Sequence, residues 1–254
     1  MIHTKSTVNV VGMIPARYQS TRLPGKPLAE IQGKSMIRRV YEQSLKAVSL
    51  DGVYVATDDR RIAEEVKSFN GEYIMTSPDH LSGTDRLAEA VVGLEADIVV
   101  NIQGDQPFIE PGMIDEAVEP LLEEPGLPML TLMQEVKDSR DFDNPNVVKV
   151  VTDAKGYALY FSRSRIPFSR SGEKVPIYEH IGLYVYRKDF LCLLSVLTPT
   201  RLERIESLEQ LRVIENGYKI KVVETSKLTS ELSGFSVDTP EDLDRIQELL
   251  EKTN

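Results

Sequence analysis

The sequence has 254 residues, of which 41% are hydrophobic and 28% charged, so the chain is long enough to bury one sizeable core. Its formal net charge of −10 argues against broad binding to nucleic acid or to an anionic membrane surface. A single cysteine, a polar start at residues 1–8 without a signal-like apolar stretch, and no apolar run near the roughly 20 residues of a membrane span predict a soluble cytoplasmic protein.

Strands and helices alternate along about the first 110 residues. Short β-branched runs, VNVVGMI at 8–14 and DIVVNI at 97–102, predict strands buried on both faces. Further strands are predicted at 53–57 and 72–75, and apolar residues at helical spacing predict helices at 35–48, 61–69 and 84–94. This alternation predicts an α/β fold with a mostly parallel central sheet, right-handed crossovers and helices on both faces.

The second half of the chain has a mixed pattern. It predicts strands at 146–152, 157–161, 181–186 and 219–223, a turn at 153–156, a long polar loop at 163–179 and a helix at 204–215. The tail at 239–252 is predicted to be a helix capped by Thr239, with Pro240 at its first position and two acids in its first turn. Because the sequence has no repeat or obvious linker, we expect one domain with a mixed α+β insertion.

A basic loop follows the first predicted strand, from Pro15 to Pro27. It carries Arg17, Arg22 and Lys26 directly after a buried strand, which is where open α/β sheets bind their ligands. Fixed cations and a glycine suit a polyphosphate, although the loop is neither a Walker A motif nor a G-x-G-x-x-G motif. The alternative is an ordinary solvated basic loop, which is less expected in an acidic chain.

Two aspartates are candidate metal ligands. Asp105 follows the strand at 97–102 within the segment NIQGDQP, so its carboxylate could hold Mg²⁺ against phosphate oxygens. A plain Gly-Asp turn explains this residue equally well. Asp238 precedes the cap of the last helix, and from the residues alone it is better explained as an acid that complements the helix dipole.

The remaining polar candidates are weaker. The segment SGTDR at 82–86 opens a helix, so it is either an ordinary cap or an anion site at a helix N-terminus. We expect Cys192, in an apolar run, to be a buried structural thiol, and the three histidines (His3, His80 and His180) match no metal or nucleophile motif. A basic loop plus carboxylates suggests nucleotidyl transfer, which works by positioning and charge neutralisation and needs no evident nucleophile.

Eight segments in order resemble the 3-deoxy-manno-octulosonate (Kdo) cytidylyltransferase family, also called CMP-Kdo synthetases. They are IPARYQSTRLPGKPL (14–28), VATDD (55–59), SGTDR (82–86), NIQGDQP (101–107), VVKVVTDAKGYALYFSRSRIP (147–167), HIGLYVYR (180–187), LEQLR (208–212) and VDTPEDL (237–243). The resemblance implies the nucleotide-diphospho-sugar transferase-like fold and transfer of CMP from CTP to Kdo, with release of pyrophosphate, for lipopolysaccharide assembly.

The resemblance also implies roles for individual residues. Asp105 and Asp238 would bind Mg²⁺, with Lys26 beside them as a catalytic cation. The implied triphosphate and nucleotide contacts are Arg17, Arg22, Lys26, Ser82, Gly83, Thr84 and Arg86, and the implied acid-sugar pocket is Gln103, Arg163, His180, Tyr184, Glu209 and Gln210. Arg163 would be a carboxylate partner. Within one domain, residues 1–135 would form the nucleotide core, 136–235 the sugar-binding and dimerisation region, and 236–254 the C-terminal helix, in a homodimer.

The chain departs from the family pattern at two places. Gln106 stands where the family has Glu in QGDEP, and the family's Arg before the His-x-Gly strand is missing from Tyr178-Glu179-His180. Both departures look similar to family members that prefer 8-amino-Kdo, since Glu179 could offset an ammonium group. The alternatives are neutral variation, a cytidylyltransferase for another acid sugar such as a sialic acid, and a nucleotide-binding regulator weakened by Gln106.

Overall fold

The computed structural model describes residues 8–20, 22–228 and 232–253. Most of the polar start, including His3, and Thr21 of the basic loop lie outside the described residues. Within the described ranges, no helix is long and apolar enough to cross a membrane.

Nine strands form one sheet, and seven of them lie side by side in the order β11-β7-β10-β6-β1-β4-β5. The hairpin β8-β9 extends from β10, and β2 and β3 form a separate small ribbon. The strands are β1 (Val10–Ala16), β2 (Glu30–Ile31), β3 (Lys34–Ser35), β4 (Gly52–Thr57), β5 (Glu72–Met75), β6 (Ile98–Asn101), β7 (Met129–Glu135), β8 (Lys149–Thr152), β9 (Ala158–Ser162), β10 (Tyr178–Arg187) and β11 (Lys221–Glu224).

The predicted mostly parallel sheet is confirmed. β1 pairs in parallel with β4 and β6, β4 with β5, and β7 with β11, whereas β10 runs antiparallel to β6 and β7. The carboxyl ends of β1 and β6 therefore lie side by side. An open α/β sheet binds its ligands at this edge.

Helices cover both faces of the sheet, as predicted. They are α1 (Met36–Ser44), α2 (Arg60–Ser68), α3 (Gly83–Val91), α4 (Pro111–Glu123), α5 (Lys188–Val196), α6 (Arg201–Glu206), α7 (Gln210–Glu215) and α8 (Pro240–Thr253). Alternation along β1 sends Val10 and Ile14 into the core under α1, α2 and α4, and sends Val11 and Met13 into the core under α3, α5 and α7.

The second half differs from the sequence-based prediction in several elements. The hairpin at β8-β9 is confirmed, but β10 begins at Tyr178, so the polar loop ends earlier than predicted. The predicted helix at 204–215 is wrong: Ser207 adopts a left-handed φ of 53° and separates α6 from α7. The buried Arg212 guanidinium pairs with Glu203 at 2.5 Å and holds the two helices together. The pattern did not predict α4, α5 or β7, and Cys192 on α5 is half-buried rather than buried.

The C-terminal segment packs against the start of the chain. The predicted cap of α8 is confirmed, since Thr239 Oγ1 accepts from Asp242 N at 3.2 Å and Asp242 Oδ2 accepts from Thr239 N at 2.9 Å. A small third core unites Ile246 of α8 and Val237 with residues near β2. Val237 N also donates to Asp105 O at 2.9 Å, so the tail is bound directly to the loop after β6.

Candidate active site

A cleft of about 460 Å³ opens at the carboxyl ends of β1 and β6. Its walls are the basic loop after β1, the start of α3, the loop after β6 and the residue before α8. Predicted site residues that line it are Arg17, Arg22, Lys26, Ser82, Gly83, Arg86, Gln103, Asp105 and Asp238. The fold therefore brings residues from four distant parts of the sequence into one polar cavity.

The basic loop is shaped by a tight turn at Gly25. This residue has a left-handed φ of 70°, and its N–H donates to Tyr18 O at 3.0 Å. A Cβ at Gly25 would lie 3.2 Å from the Tyr18 ring, so a larger residue would be both strained and crowded. The Tyr18 ring is itself covered by the Arg61 guanidinium, 3.3 Å from its centroid. This packing fixes the backbone that carries Lys26.

Lys26 joins the two candidate metal ligands. Its Nζ lies 2.7 Å from Asp105 Oδ2 and 2.9 Å from Asp238 Oδ1. Arg22 Nη2 adds a second contact to Asp238 Oδ1 at 2.9 Å. The reading of Asp238 as a mere complement to the helix dipole is therefore incomplete, because its carboxylate faces the cleft cations.

The donor set suits a hard divalent cation. Asp105 and Asp238 approach one common point, now held by the Lys26 ammonium, and Mg²⁺ takes one or two protein carboxylates and completes its shell with phosphate and water. Across the described part of the chain, no group of three or more His, Cys, Asp or Glu side chains could hold a metal ion. A site here would thus be completed by oxygens from the ligand.

The start of α3 is both a cap and a wall of the cleft. Ser82 Oγ accepts from Asp85 N at 3.0 Å, and Asp85 Oδ2 accepts from Ser82 N at 3.3 Å, which forms a capping box. Arg86 is buried, pairs with Asp58 Oδ1 at 2.8 Å and donates to Thr76 Oγ1 at 2.6 Å. Thr84 is buried and faces Glu209 instead of the cleft.

A second group of predicted residues lies beside the cleft on β10. The His180 ring is 5.1 Å from Phe161 and 5.3 Å from Tyr184, and Tyr184 stacks on Tyr186 at 5.9 Å. Burial lowers the pKa of His180 to about 3, so its imidazole is neutral, and Thr131 Oγ1 lies 2.9 Å from its Nε2. Burial also raises the pKa of the Tyr184 hydroxyl.

Three further polar groups complete this region. Gln103 Nε2 donates to Gly182 O at 2.9 Å, which links the loop after β6 to β10. Glu209 bonds Thr84, and burial raises the pKa of its carboxyl. Gln210 is buried, and its Nε2 has no hydrogen-bond partner among the residues that the structure describes. An unpaired buried donor is costly unless a ligand or water satisfies it.

Comparisons with known proteins agree with this geometry. A cytidylyltransferase family model matches residues 11–220. The 3-deoxy-manno-octulosonate cytidylyltransferase of Geotalea daltonii is 52% identical over 96% of this chain and 98% of its own, and that of Trichlorobacter lovleyi is 51% identical over 96% and 100%. The chain belongs to the 3-deoxy-manno-octulosonate cytidylyltransferase family.

A solved structure supports the assignment at the level of the fold. A CMP:2-keto-3-deoxy-manno-octonic acid synthetase complexed with CTP is 42% identical, with a TM-score of 0.90 over 97% of this chain and 100% of that one. A cytidylyltransferase from Leptospira borgpetersenii, at 19% identity and a TM-score of 0.63, shares the fold alone.

One residue implied by the cytidylyltransferase resemblance is engaged elsewhere. The Arg163 guanidinium donates to three backbone carbonyls: Glu206 O at 2.7 Å, Pro145 O at 2.9 Å and Ser207 O at 3.3 Å. The fully buried Lys149 ammonium donates to Arg163 O at 2.8 Å and so supports the same junction. In this structure Arg163 ties the β8-β9 hairpin to the end of α6, and three of its five N–H donors are used by these carbonyls.

The two departures from the cytidylyltransferase family pattern lie in different surroundings. Glu179 bonds Gln134 across β10 and β7, and burial raises the pKa of its carboxyl. Because side chains alternate along a strand, Glu179 faces the side of the sheet opposite to His180, contrary to the idea that it faces the sugar. Gln106 is buried next to Asp105, and its Oε1 is unpaired within the described ranges.

Among the polar side chains that line the cleft, Gln19 and His80 received no role from the sequence. The His80 imidazole bonds Glu89 of α3 and lowers the pKa of that carboxyl. The available signal was position, since His80 lies two residues before the cap of a helix that starts at the carboxyl edge of the sheet. His80 matches no recognisable motif, so the sequence alone did not indicate a role for it.

We predict that Arg163→Met lowers the free energy of unfolding by about 1–3 kcal/mol, because it leaves backbone carbonyls without their donor. Urea denaturation followed by circular dichroism measures the effect, and Arg163→Lys, which keeps the charge and some donors, should lose less. Unchanged stability in Arg163→Met would show that the guanidinium is free, and would restore it as a candidate for binding a substrate carboxylate.

Proposed function

We propose that this protein transfers CMP from CTP to the anomeric hydroxyl of Kdo and releases pyrophosphate. The observation that carries the proposal is the cleft at the ends of β1 and β6, where Lys26 lies between Asp105 and Asp238 in a chain of the Kdo cytidylyltransferase family. The CTP in the related 42%-identical structure supports a cytidine nucleotide as the ligand.

On the nucleotide side, the basic loop supplies the charge. Arg17, Arg22 and Lys26 bind the triphosphate, and the start of α3 at Gly83, which lines the cleft, receives another anionic or polar group of the nucleotide. Arg86 is held rigid by its ion pair with Asp58, so it contributes positive potential to the cleft floor without rearrangement. Thr84, which points away from the cleft, positions Glu209.

Asp105 and Asp238 hold Mg²⁺ in this proposal. A cation held by these two carboxylates would supply positive charge to offset the negative charge of the phosphate groups. The backbones of the two aspartates are anchored, because Asp105 O accepts from Val237 N at 2.9 Å and Asp238 N donates to Asp242 Oδ2 at 3.0 Å. Their short side chains therefore start from a held main chain when they orient the triphosphate.

On the sugar side, Kdo lies against β10 and the start of α7. Neutral His180, Tyr184, Gln103 and the unpaired amide of Gln210 offer hydrogen bonds to hydroxyl groups, and Glu209 completes the pocket. The anomeric oxygen attacks the α-phosphorus, its proton passes to solvent, and the bond from that phosphorus to the bridging oxygen breaks so that pyrophosphate leaves. The protein contributes mainly orientation and electrostatic stabilisation.

The organisation of the chain follows from this assignment. We assign residues 1–135 to nucleotide binding, 136–235 to sugar binding and dimerisation, and 236–254 to the C-terminal helix that delivers Asp238. A homodimer in the cytoplasm, which supplies an activated sugar for lipopolysaccharide assembly, agrees with the family membership.

Kdo is favoured over the alternative acceptors. The argument for 8-amino-Kdo depended partly on Glu179, whose side chain faces away from His180. No residue described above supports a sialic acid as the acceptor. The reading of the chain as a non-catalytic regulator rested on Gln106, yet this substitution leaves both Asp105 and Asp238 in the cleft.

We predict that Asp105→Asn and Asp238→Asn each reduce turnover by at least about 100-fold, because each removes a charged ligand from the metal position. Pyrophosphate release from CTP, Kdo and Mg²⁺ measures the loss, and chelation of Mg²⁺ should abolish the signal from the unchanged protein. Asp244→Asn, an exposed acid on α8, is the matched control and should be silent. Near-normal activity in either variant would remove that residue from the metal site, and absence of pyrophosphate release from the unchanged protein would overturn the enzymatic assignment.

We predict that Glu179→Gln leaves the ratio of kcat/KM for Kdo and 8-amino-Kdo unchanged within about twofold, because this carboxyl faces the opposite side of the sheet. The measurement is a competition between the two sugars at saturating CTP. Gln210→Leu, which removes an unpaired donor on the sugar side, should instead raise KM for Kdo. A selectivity change in Glu179→Gln would show that the carboxyl senses the amino group of the sugar.

A further inference from the structure

The Lys26 ammonium occupies the point at which the two proposed metal ligands converge. Its Nζ is within hydrogen-bonding distance of both Asp105 Oδ2, at 2.7 Å, and Asp238 Oδ1, at 2.9 Å. Arg22 adds a second positive charge at Asp238, 2.9 Å away. The two carboxylates thus already have two positive charges in direct contact with them.

A divalent cation cannot share this point with an ammonium group. Both are positively charged and both seek the same carboxylate oxygens, so each weakens the binding of the other. The pairs are partly shielded from water, with 16% of the Lys26 side chain and 24% of the Asp105 side chain exposed, so screening by solvent and salt is incomplete.

We propose that Lys26 is a resident counter-ion that excludes divalent metal from the Asp105–Asp238 pair until a triphosphate draws its ammonium away. The inference rests on the proposed function, and it adds an order of events: metal binds with, or after, the nucleotide and not before it. The Lys26 ammonium would then pair first with the two carboxylates and afterwards with the phosphate groups.

The local structure separates fixed parts from movable ones. Gly25 and Pro27 hold the backbone of Lys26 in a short 3₁₀ turn, with Leu28 N donating to Gly25 O at 2.8 Å. The backbones of Asp105 and Asp238 are held by the contacts with Val237 and Asp242, and their side chains are short. The flexible four-carbon stem of the lysine is therefore the part with the greatest freedom to move, and its ammonium is a mobile point charge.

The alternative is that Lys26 only ties the C-terminal segment to the core. That segment has other attachments, namely the apolar contacts of Val237 and Ile246 and the hydrogen bond from Val237 N to Asp105 O. Removing the lysine charge should therefore leave α8 docked. If Lys26 is only a structural tie, removing its charge should not tighten metal binding. If it is a resident counter-ion, removing its charge should tighten metal binding.

The test uses Mn²⁺ as the probe and measures the unbound ion by electron paramagnetic resonance, with and without a non-hydrolysable CTP analogue. Without nucleotide, Lys26→Met and Lys26→Gln should bind Mn²⁺ at least about tenfold more tightly than the unchanged protein, since the variants lack a positive charge that contacts the same carboxylate oxygens. Lys26→Arg, which keeps the charge, should show no gain. The double variant Lys26→Met with Asp105→Asn should lose the gain in Mn²⁺ affinity that the single variant Lys26→Met shows.

The outcomes separate this inference from the proposed function. If neither neutral variant gains affinity while Asp105→Asn still weakens Mn²⁺ binding with the analogue present, the counter-ion role is wrong and the metal site stands. If Asp105→Asn has no effect with the analogue present, both the metal site and the counter-ion role are wrong. Hydrogen exchange over 237–253 checks that α8 stays docked, and its release in both neutral variants, without tighter Mn²⁺ binding, would identify Lys26 as a structural tie.

Discussion

The pairing of Lys26 with Asp105 and Asp238 is the interaction on which the rest of the site depends. Two carboxylates placed side by side repel each other, and the fold tolerates them because Lys26 and Arg22 of the first loop offset their charge. Lys26, Asp105 and Asp238 come from near the start, the middle and the end of the chain. The packing of β1 against β6 and the docking of α8 through Val237 are therefore requirements of the chemistry as well as of stability.

The proposed sugar-binding side of the site is formed in a different way. β10 enters antiparallel beside β6, and its alternation sends His180, Tyr184 and Tyr186 to the face covered by α3, α5 and α7. Burial there keeps the imidazole neutral, so the region offers hydrogen bonds without adding charge. In the proposed function, the site thus has a charged half for the triphosphate and an aromatic half for the sugar, joined by Gln103 at the bulge around Gly182.

Over about the first 110 residues the sequence predicted the main strands and helices well, because buried β-branched runs and capped amphipathic helices have strong local signals. The basic loop and Asp105 were found by position, as they directly follow buried strands. The break at Ser207 was missed because a positive φ in a serine has no clear sequence signal. The orientation of Glu179 and the partners of Arg163 depend on strand register and on backbone carbonyls far along the chain, so no local pattern could supply them.

The most direct measurement of the central claim is a crystal structure of the protein with Mg²⁺ and a non-hydrolysable CTP analogue. We expect Asp105 and Asp238 to coordinate the metal ion, with the Lys26 ammonium displaced from between them and bonded to phosphate oxygens. A structure in which Lys26 still bridges the two carboxylates, with the metal and the triphosphate bound by other residues, would contradict the account.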